Sequence, residues 1–391
     1  MPNILAINAG SSSIKLAVFR QEGVPRVIAR ATVDGLAAGR ASIAYRSLED
    51  DAPPVHDRLP AASGQIAGAL TAWLDAHGAL ADLAAVGHRI VHGMEHLQPE
   101  VITPGLMSDL TGAIPFDPEH LPLEIALVEA VGRRLPGLPQ VACFDTGFHS
   151  RMPRLARILP IPRRYEAQGI RRYGFHGLSY AYLLHELERL GDKAAVRGRV
   201  VLAHLGSGAS MAAVRDGCGV DTSMGFTPSA GLPMGTRAGD LDPGLAGVLA
   251  RVDGLTMGQF EHLVNHQCGL LGISETSADV RDLLASEGRD ARAAEAVDYF
   301  CYQAKKQIGA YAAVLGGLDT LVFSGGIGQH QPAVRARICA DLDFLGIELD
   351  AERNERNEGI ITRSGSRVAV RVIPTDEESM IVRHTLDRLA H

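Results

Sequence analysis

The sequence is short of several features that would place it in a specialised class. Its 391 residues include one tryptophan, and only four of its 38 basic residues are lysines. Its five cysteines are odd in number, stand far apart and form no CxxC pair, which argues against a disulfide framework and a structural zinc site. We therefore expect buried free thiols.

Long apolar runs and blocks of like charge are also missing. No apolar run reaches the roughly 18 residues of a membrane span, and the N-terminus has no basic region before a long apolar core. The net charge is −7 and the sequence has no block of basic residues, so bulk electrostatics give no reason to expect nucleic-acid binding. The sequence predicts a cytoplasmic globular protein of about two to three domains that binds neither nucleic acid nor a membrane.

Two stretches share one pattern of strand, glycine loop and strand. Residues 4–18 and 200–214 align at an offset of 196, about half the chain. The identities are Gly10 with Gly206, Ser11 with Ser207, Ala17 with Ala213, and Val18 with Val214. A repeat at half the chain length predicts a duplicated domain with one glycine loop in each half.

Helical patterns alternate with such strands, which predicts an α/β fold. Apolar residues recur at spacings of three and four from Val297 to Leu315, and this helix is expected to end at Gly316. A strand, TLVF, and a glycine turn, SGGIG, are predicted next, and ligands bind at such strand ends. Residues 34–63 mix glycine, proline and charge, and predict an edge region without chemistry of its own.

Three glycine-rich segments are candidate phosphate loops. In NAGSSSIK, small residues let backbone N–H groups approach a phosphate and Lys15 supplies a compact positive charge. HLGSGAS (204–210) and SGGIGQH (324–330) are the second and third candidates. Each is equally typical of an ordinary glycine turn. The sequence has no Gly-Lys pair and no HRD or DFG triplet, so P-loop and protein-kinase chemistry are excluded.

Four charged or imidazole residues stand in apolar or glycine-rich settings: Arg89, Asp145, His176 and Arg237. Two arginines and a histidine can neutralise a phosphoryl group during transfer, where positioning and electrostatics dominate catalysis. Each residue by itself is also typical of a structural role. The acidic run 376–378 offers carboxylates of the kind that bind magnesium, although an acidic helix N-terminus explains it equally well.

Ten motifs in order carry a resemblance that spans nearly the whole chain. They are NAGSSSIK, GHRIVHG, FDTGFH, RRYGFHG, HLGSGAS, VDTSMGFTP, MGTRAGDLDP, SADVRDL, GGIG and IPTDEE. Their order and spacing resemble those of the acetate kinase family. The resemblance implies duplicated ribonuclease-H-like domains of the actin-like ATPase type that flank a nucleotide cleft. We expect one domain over 1–147, completed by a C-terminal helix over 380–391, and a nucleotide-binding domain over 148–379.

The resemblance also implies the activity. Members of this family transfer the γ-phosphoryl group of ATP reversibly to acetate, giving acetyl phosphate and ADP, and are magnesium-dependent homodimers. Manganese is the alternative metal. Propionate or another short-chain carboxylate is the alternative acceptor, and a nucleotide-binding regulatory module with weak catalysis is the alternative of another class. A sugar-type kinase lacks support, because the carboxylate-handling motifs are present beside the nucleotide loops.

Site roles follow from the resemblance residue by residue. Asn8 and Glu377 resemble the metal positions, Lys15 and Ser12 belong to the first phosphate loop, and Arg89 and Arg237 resemble the arginines that hold the carboxylate and the transferred phosphoryl group. Asp145 matches the aspartate beside the carboxylate, and His176 the histidine at the transition state. The implied nucleotide contacts are His204, Leu205, Gly206, Ser207, Gly208, Asp279, Val280, Arg281, Gly326, Ile327, Gly328, Gln329 and His330. The implied acyl pocket comprises Val91, Phe116, Phe175 and Pro228.

The chain departs from the family pattern at a few motif positions. Phe116 and Asp117 replace the usual leucine and histidine, Ser207 replaces an asparagine of the phosphate loop, and Tyr180 replaces a second histidine. GIGQH stands where GIGEN is usual. The six residues with metal, carboxylate and phosphoryl roles are intact, so we expect an active kinase whose acyl pocket is altered.

Overall fold

The computed structural model describes residues 2–10, 13–36, 39–50, 52–60 and 65–390. The chain divides into two compact units. The first comprises Met1–Gly147 and Asp376–His391, and the second comprises Phe148–Thr375.

Strands and helices alternate along both units. The strands are β1 Asn3–Ala9, β2 Ser13–Arg20, β3 Arg26–Asp34, β4 Ser42–Ser47, β5 Val55–Arg58, β6 Leu83–Ile90, β7 Glu100–Val101, β8 Gln140–Phe144, β9 Arg199–Leu205, β10 Ala209–Arg215, β11 Cys218–Thr222, β12 Thr320–Ser324 and β13 Ala369–Val372. The helices are α1 Ile66–Ala76, α2 Pro104–Ala113, α3 Leu121–Arg134, α4 Arg154–Arg157, α5 Arg163–Glu166, α6 Gly177–Arg189, α7 Lys193–Arg197, α8 Leu245–Val252, α9 Met257–His266, α10 Gly269–Ser274, α11 Val280–Ser286, α12 Ala291–Leu315, α13 Gly325–His330, α14 Pro332–Cys339, α15 Ala351–Glu355 and α16 Glu377–Leu389.

The first unit is built on an eight-stranded sheet in the order β5-β4-β3-β2-β1-β6-β8-β7. Strands β1, β2 and β3 are antiparallel neighbours, whereas β6 and β8 continue the sheet parallel to β1. Apolar side chains of α1 and α3, among them Leu70, Trp73 and Val131, pack in one core cluster with the sheet. The parallel strands place their carboxyl ends at one edge, where site residues are expected.

The second unit repeats this plan with a five-stranded sheet in the order β11-β10-β9-β12-β13. Its first three strands are again antiparallel neighbours, and β12 and β13 run parallel to β9. The repeated topology confirms the duplication that the two glycine loops predict. The fold is α/β and of the actin-like ATPase type.

The predicted offset of 196 needs one correction. It holds for the first strands, because β1 and β9 cover equivalent ranges. The second hairpin is one residue shorter: its innermost pair is Leu205 with Ala209, whereas that of the first is Ala9 with Ile14. The second strands are therefore related by an offset of 195, and the matches of Ala17 with Ala213 and of Val18 with Val214 are wrong by one residue.

The region after α12 holds one confirmed and one wrong prediction. The long helix ends at Gly316, whose φ of 70° allows the left-handed cap. The predicted glycine turn SGGIG is wrong, because strand β12 passes directly into α13. Gly325 makes this possible with a φ of +74°, and a Cβ there would lie 2.5 Å from the carbonyl oxygen of Leu205.

Smaller expectations about edges and thiols are also settled. In the described part of residues 34–63, β4 and β5 are the outermost strands at one edge of the sheet, as predicted. All five cysteines are free thiols, but the expectation that they are buried holds only for Cys143, Cys301 and Cys339, because Cys218 and Cys268 are partly exposed. Burial raises the pKa of Cys143 and of Cys339 to about 12. Across the part of the chain that the structure describes, no helix has both the length and the apolar character to cross a membrane.

Candidate active site

Arg89 and Asp145 form a buried ion pair at the ends of two neighbouring strands of the first unit. Arg89 lies near the end of β6 and Asp145 follows β8, so the parallel pairing of these strands brings the two side chains together. Arg89 Nη2 donates to Asp145 Oδ2 at 2.8 Å, and Nη1 donates to the carbonyl oxygen of Ala9 at 3.0 Å. The prediction that Asp145 directly follows a strand is confirmed.

The surroundings of Arg89 keep it charged and leave it a free donor. Burial works against the charge, but Asp145, Glu377 and Glu124 outweigh burial and hold the pKa of Arg89 above its usual value. The Nε atom is buried and has no hydrogen-bond partner among the described residues. The guanidinium is therefore equipped to bind an anion at the ends of these strands.

Asn8 joins the first hairpin to the start of the C-terminal helix. It lies on β1 opposite Lys15 of β2. Asn8 Nδ2 donates to Glu377 Oε2 at 2.9 Å and to Glu378 Oε1 at 2.8 Å. Burial, assisted by repulsion from Glu377, raises the pKa of Glu378. Of these two carboxylates the family resemblance implies only Glu377 for the metal, whereas Asn8 bonds Glu378 as well.

The donors of this group fit a magnesium ion. Mg²⁺ prefers oxygen ligands, keeps several waters and binds through one or two carboxylates together with substrate phosphates. Asn8 Oδ1 and the carboxylate of Glu377 are donors of this kind. Within the described ranges no three His, Cys, Asp or Glu side chains are grouped as a metal site. Asn8 and Glu377 would therefore share the ion with phosphate oxygens and water rather than enclose it.

The other predicted residues of the first unit differ in how far their side chains are exposed. Lys15 is exposed on β2, and Ser12 lies outside the described residues. Val91 is buried immediately after β6, and Phe116 is half-buried at the end of the 3₁₀ helix Ile114–Phe116. Asp117 is buried with its Oδ1 2.7 Å from His120 Nδ1. The aspartate that departs from the family pattern is thus tied to a neighbouring histidine.

His176 of the second unit contacts one buried hydroxyl group, which a second buried hydroxyl group supports. It takes a left-handed backbone conformation, with φ of 57°, just before α6. Its Nδ1 lies 2.8 Å from Ser210 Oγ, and Ser210 also bonds the hydroxyl of Tyr180. Ser210 and Tyr180 are fully buried. The imidazole is therefore fixed through its Nδ1 edge by Ser210, with the Tyr180 hydroxyl behind it.

His204 is held in the same way. Its Nδ1 lies 2.8 Å from Ser179 Oγ, to which the hydroxyl of Thr375 donates at 2.9 Å. The rings of His176 and His204 stack with their centroids 4.2 Å apart. Hydroxyl groups thus orient both imidazoles of the second unit through Nδ1.

Arg237 and His176 converge on the second glycine hairpin. A Cβ on Gly208 would lie 3.3 Å from His176 Nε2 and 3.8 Å from Arg237 Nη1. Arg237 Nη1 also donates to the carbonyl oxygen of Pro228 at 3.2 Å, and Phe175 is buried beside His176 in the chain. A guanidinium and an imidazole beside bare backbone can stabilise charge on a phosphoryl group.

Three predicted nucleotide segments of the second unit are neighbours. A Cβ on Gly206 would lie 3.8 Å from the backbone nitrogen of Gly326, and the Gly235 N–H donates to the carbonyl oxygen of Ser207 at 3.3 Å. A Cβ on Gly235 would meet the Ala278 carbonyl oxygen at 3.1 Å, which places the start of α11 close to the hairpin. The segments are the hairpin His204, Leu205, Gly206, Ser207, Gly208; the start of α11 with Asp279, Val280, Arg281; and α13 with Gly326, Ile327, Gly328, Gln329, His330.

Within these segments Asp279 and Arg281 bind each other. Asp279 caps α11 by accepting the Arg281 N–H at 2.8 Å, and Arg281 Nη2 donates to Asp279 Oδ2 at 2.6 Å. The hydrogen bond from Arg281 stabilises the ionised carboxylate and so lowers the pKa of Asp279.

Sequence reasoning missed Arg335, which anchors α13. This fully buried side chain donates from Nη1 to the carbonyl oxygens of Gly328 and Gln329 at 2.8 and 2.9 Å, and from Nε to Asn354 Oδ1 at 2.8 Å. The available signal is its place in the apolar face of α14, between Val334 and Ile338. Ser210 carried a comparable signal, because antiparallel pairing sets it opposite His204.

These features define the class of protein. A twice-repeated actin-like ATPase core, with a guanidinium beside a glycine hairpin and a separate buried arginine–aspartate pair, is typical of a phosphotransferase. The chain belongs to the acetokinase family, whose model matches residues 3–383. It is therefore a phosphotransferase with a carboxyl group as acceptor, and the nucleotide of this family is ATP or ADP.

Individual relatives agree with the family match. The acetate kinase of Nitrobacter hamburgensis is 42% identical over 398 residues, which cover 100% of this chain and 96% of that protein. The acetate kinase of Rhodopseudomonas palustris (strain ATCC BAA-98 / CGA009) is 40% identical over 387 residues, 97% of each chain. Among solved structures, acetate kinase from Porphyromonas gingivalis has a TM-score of 0.88 at 35% identity and covers 100% of both chains. A propionate kinase from Francisella tularensis has a TM-score of 0.90 at 31% identity and covers 98% of this chain and 99% of that chain.

Proposed function

We propose that this chain is a magnesium-dependent kinase that transfers the γ-phosphoryl group of ATP reversibly to acetate, giving acetyl phosphate and ADP. The observation that carries the proposal is the convergence of His176 Nε2 and Arg237 Nη1 on the bare backbone at Gly208. The transition state of phosphoryl transfer spreads negative charge over equatorial oxygens, so cationic donors beside a glycine loop stabilise it.

The first unit supplies the groups for the acceptor. Arg89 binds the acetate carboxylate through its free N–H, and Asp145 holds the guanidinium in place through the 2.8 Å bond. Val91 and Phe116 are the apolar residues of this unit that are assigned to the methyl group. One carboxylate oxygen attacks the γ-phosphorus in line, and no proton has to leave the nucleophile because the carboxylate is already ionised.

The second unit supplies the groups for the phosphoryl donor. Arg237 and His176 donate to the oxygens of the phosphoryl group in transit, and Ser210 keeps the imidazole in the orientation that this requires. The hairpin His204–Gly208, the start of α11 and α13 bind the nucleotide. Removing the Arg237 guanidinium is expected to cost on the order of 10³-fold in rate.

The metal site of the proposal is Asn8 with Glu377, and Lys15 with Ser12 completes the first phosphate loop. A magnesium ion bound there supplies charge neutralisation of the phosphates. Asn8 orients the two carboxylates at the start of α16 through its Nδ2 hydrogen bonds. Manganese is the alternative ion, because it accepts the same oxygen donors.

Acetate is the primary acceptor in this proposal, and propionate is the second candidate. Propionate is tested for two reasons. The fold is highly similar to that of a propionate kinase, and Phe116 alters the predicted acyl pocket. Hydroxylamine traps acyl phosphates, so purified protein is assayed with ATP, magnesium and formate, acetate, propionate, butyrate, glycolate or lactate in turn. We expect acetyl hydroxamate to form fastest. Fastest trapping of propionate would move the assignment to a propionate kinase, and no product with intact ATP binding would favour a regulatory nucleotide-binding module.

We also propose a cytoplasmic homodimer. Helices α8 and α9 of the second unit have no fully buried residue. Apolar side chains are exposed on the surface around them, with relative exposures of 73% for Val252 and 70% for Met257, and Leu241 and Val248 are exposed as well. A second copy of the chain that covers this face would remove it from water. Light scattering during gel filtration is expected to give twice the mass of one chain, and Val252→Asp with Met257→Asp is expected to give monomers.

A further inference from the structure

Glu124 is a buried carboxyl group that has no role in the proposed function. It lies in the first turn of α3 and is 2% exposed. Both of its carboxyl oxygens accept the backbone N–H of Val91, Oε1 at 3.2 Å and Oε2 at 3.1 Å. A side chain from a helix thus replaces the strand partner that this N–H would otherwise need.

The segment that Glu124 holds is the one that contacts the acceptor. Ile90 is the last residue of β6, and its carbonyl oxygen accepts the N–H of Asp145 at 2.9 Å. Val91 follows beyond the end of the strand, two residues after Arg89. The bond from Glu124 therefore fixes the backbone between the guanidinium that binds the carboxylate and the apolar side chain that contacts the methyl group.

Glu124 belongs to a buried group with more acidic than basic members. Arg89 is the guanidinium of this acidic cluster, and Asp117, Glu124 and Asp145 are its carboxyl groups, all three less than 5% exposed. His120 bonds one oxygen of Asp117, whereas Asp117 Oδ2 is buried without a hydrogen-bond donor in the described part of the chain. At least this one acidic oxygen therefore lacks a donor among the described residues before a substrate carboxylate arrives.

The charges that face Glu124 make its ionised form costly. Burial raises the pKa of Glu124 well above its usual value, and repulsion from Asp117 and Asp145 adds to this, whereas Arg89 and the Val91 N–H act in the opposite direction. The other titratable groups of the surrounding segments include His120, His88 and the buried His92 next to Val91, and Glu377 acts on the Arg89 guanidinium. His88 on β6 stays neutral because burial lowers its pKa to about 4.

We propose that Glu124 is the positioning residue of the acceptor subsite and that the acceptor carboxylate binds to the form of the protein in which Glu124 carries a proton. This rests on the proposed function, because the ligand is a carboxylate held by Arg89. A substrate carboxylate brings a further negative charge to the single guanidinium of the acidic cluster. Above the pKa of Glu124, binding of the acceptor therefore takes up one proton from solvent, and that proton stays on Glu124 while the phosphoryl group is transferred.

The first test is the pH dependence of the two Michaelis constants. For the natural chain we expect the KM for acetate to rise about tenfold per pH unit above the pKa of Glu124, while the KM for ATP stays constant. Glu124→Gln keeps an oxygen for the Val91 N–H and cannot ionise, so its KM for acetate should be flat over the same pH range. Glu129→Gln, an exposed position on the same helix, is the matched control and should behave as the natural chain.

A second variant tests the positioning role separately. Glu124→Ala removes the acceptor of the Val91 N–H and should raise the KM for acetate about tenfold at low pH, with little effect on the KM for ATP, because one buried hydrogen bond is worth about 1.4 kcal/mol. Equal rises in both constants would overturn the assignment to the acceptor subsite.

Calorimetry of the natural chain gives a readout that needs no turnover. Acetate binding measured in two buffers of different ionisation enthalpy should show uptake of one proton above the pKa of Glu124, and none in Glu124→Gln. An active natural chain without this proton uptake, or a Glu124→Gln variant with an unchanged pH profile, would overturn the inference alone. A natural chain that neither binds nor phosphorylates acetate would overturn the proposed function and this inference with it.

Discussion

The two glycine hairpins occupy the same place in two copies of one topology, yet they carry different chemistry. In the first, Asn8 on β1 pairs with Lys15 on β2. In the second, His204 on β9 pairs with Ser210 on β10. These are equivalent positions once the shorter second loop is allowed for. The repeated strand core fixes where a functional side chain stands, and the residue at that position decides what it can do.

The helices beside the hairpins extend this difference. Asn8 reaches the acidic start of α16 through Glu377 and Glu378, which makes an oxygen-rich group for a cation. His204 and the hairpin residue Ser210 instead meet Ser179 and Tyr180 of α6, which orient imidazoles. The comparison therefore predicts that changes in the first hairpin act through the metal and changes in the second act on the rate of transfer.

The largest expected effect concerns the second hairpin. Arg237→Ala should lower kcat on the order of 10³-fold, because the guanidinium beside Gly208 stabilises charge that develops only in the transition state. Steady-state assays with acetate measure it. Arg289→Ala, at an exposed position after α11, is the control and should leave kcat unchanged. A loss seen only in the KM for acetate would place Arg237 with the acceptor instead.

The next effect concerns the first hairpin. Asn8→Ala should raise the magnesium concentration for half-maximal rate about 10- to 100-fold, because it removes a ligand and frees two carboxylates that Asn8 orients. A magnesium titration at saturating ATP measures this. Asn3→Ala on the same strand and Ser210→Ala in the other hairpin should leave the magnesium requirement alone. An equal shift in Ser210→Ala would remove the distinction between the hairpins.

Tyr180→Phe tests the support behind the second hairpin with a smaller change. The variant removes a buried hydroxyl that bonds Ser210, so His176 loses part of its orientation and kcat should fall about tenfold at an unchanged KM for ATP. Nitrogen NMR of His176 should show a changed tautomer balance. Tyr182→Phe, two residues along α6, is the control. Unchanged kcat together with an unchanged tautomer balance would contradict the positioning role.

The smallest expected effect comes from two glycine substitutions that distinguish nucleotide binding from folding stability. A Cβ on Gly206 would meet its nearest atom at an ordinary 3.4 Å, so Gly206→Ala should change the free energy of unfolding by less than about 1 kcal/mol and raise the KM for ATP about threefold. Gly325→Ala should instead cost about 1 to 3 kcal/mol, because its φ of +74° and the nearby Leu205 carbonyl oppose a side chain. Chemical denaturation and ATP titrations give both values.

Local pattern was enough to predict much of this fold. The glycine hairpins, the helix that ends at Gly316 and the strand before Asp145 each follow from residues within one short segment. Local pattern failed at SGGIG, because the contact that demands Gly325 comes from Leu205, which is 120 residues away in the chain. The one-residue error in the offset has a similar cause, since only strand pairing reveals the length of a turn.

In the candidate site too, some residues could be predicted from local sequence and others could not. Motif residues such as Arg89, Asp145 and His176 could be named from sequence, and their assigned roles stay predictions. The groups that orient them could not be named, because Ser210 and Glu124 act through contacts with residues more than 30 positions away. Glu124 had left one signal, a lone acid within an apolar helical stretch, LPLEIALV.

The most direct measurement is the rate of acetyl phosphate formation by Arg237→Ala and by Arg89→Ala, followed by hydroxylamine trapping. Arg237→Ala should lose on the order of 10³-fold in kcat, because Arg237 is assigned to the phosphoryl group, whereas Arg89→Ala should raise the KM for acetate, because Arg89 is assigned to the acceptor carboxylate. An Arg237→Ala variant with undiminished kcat would contradict the account.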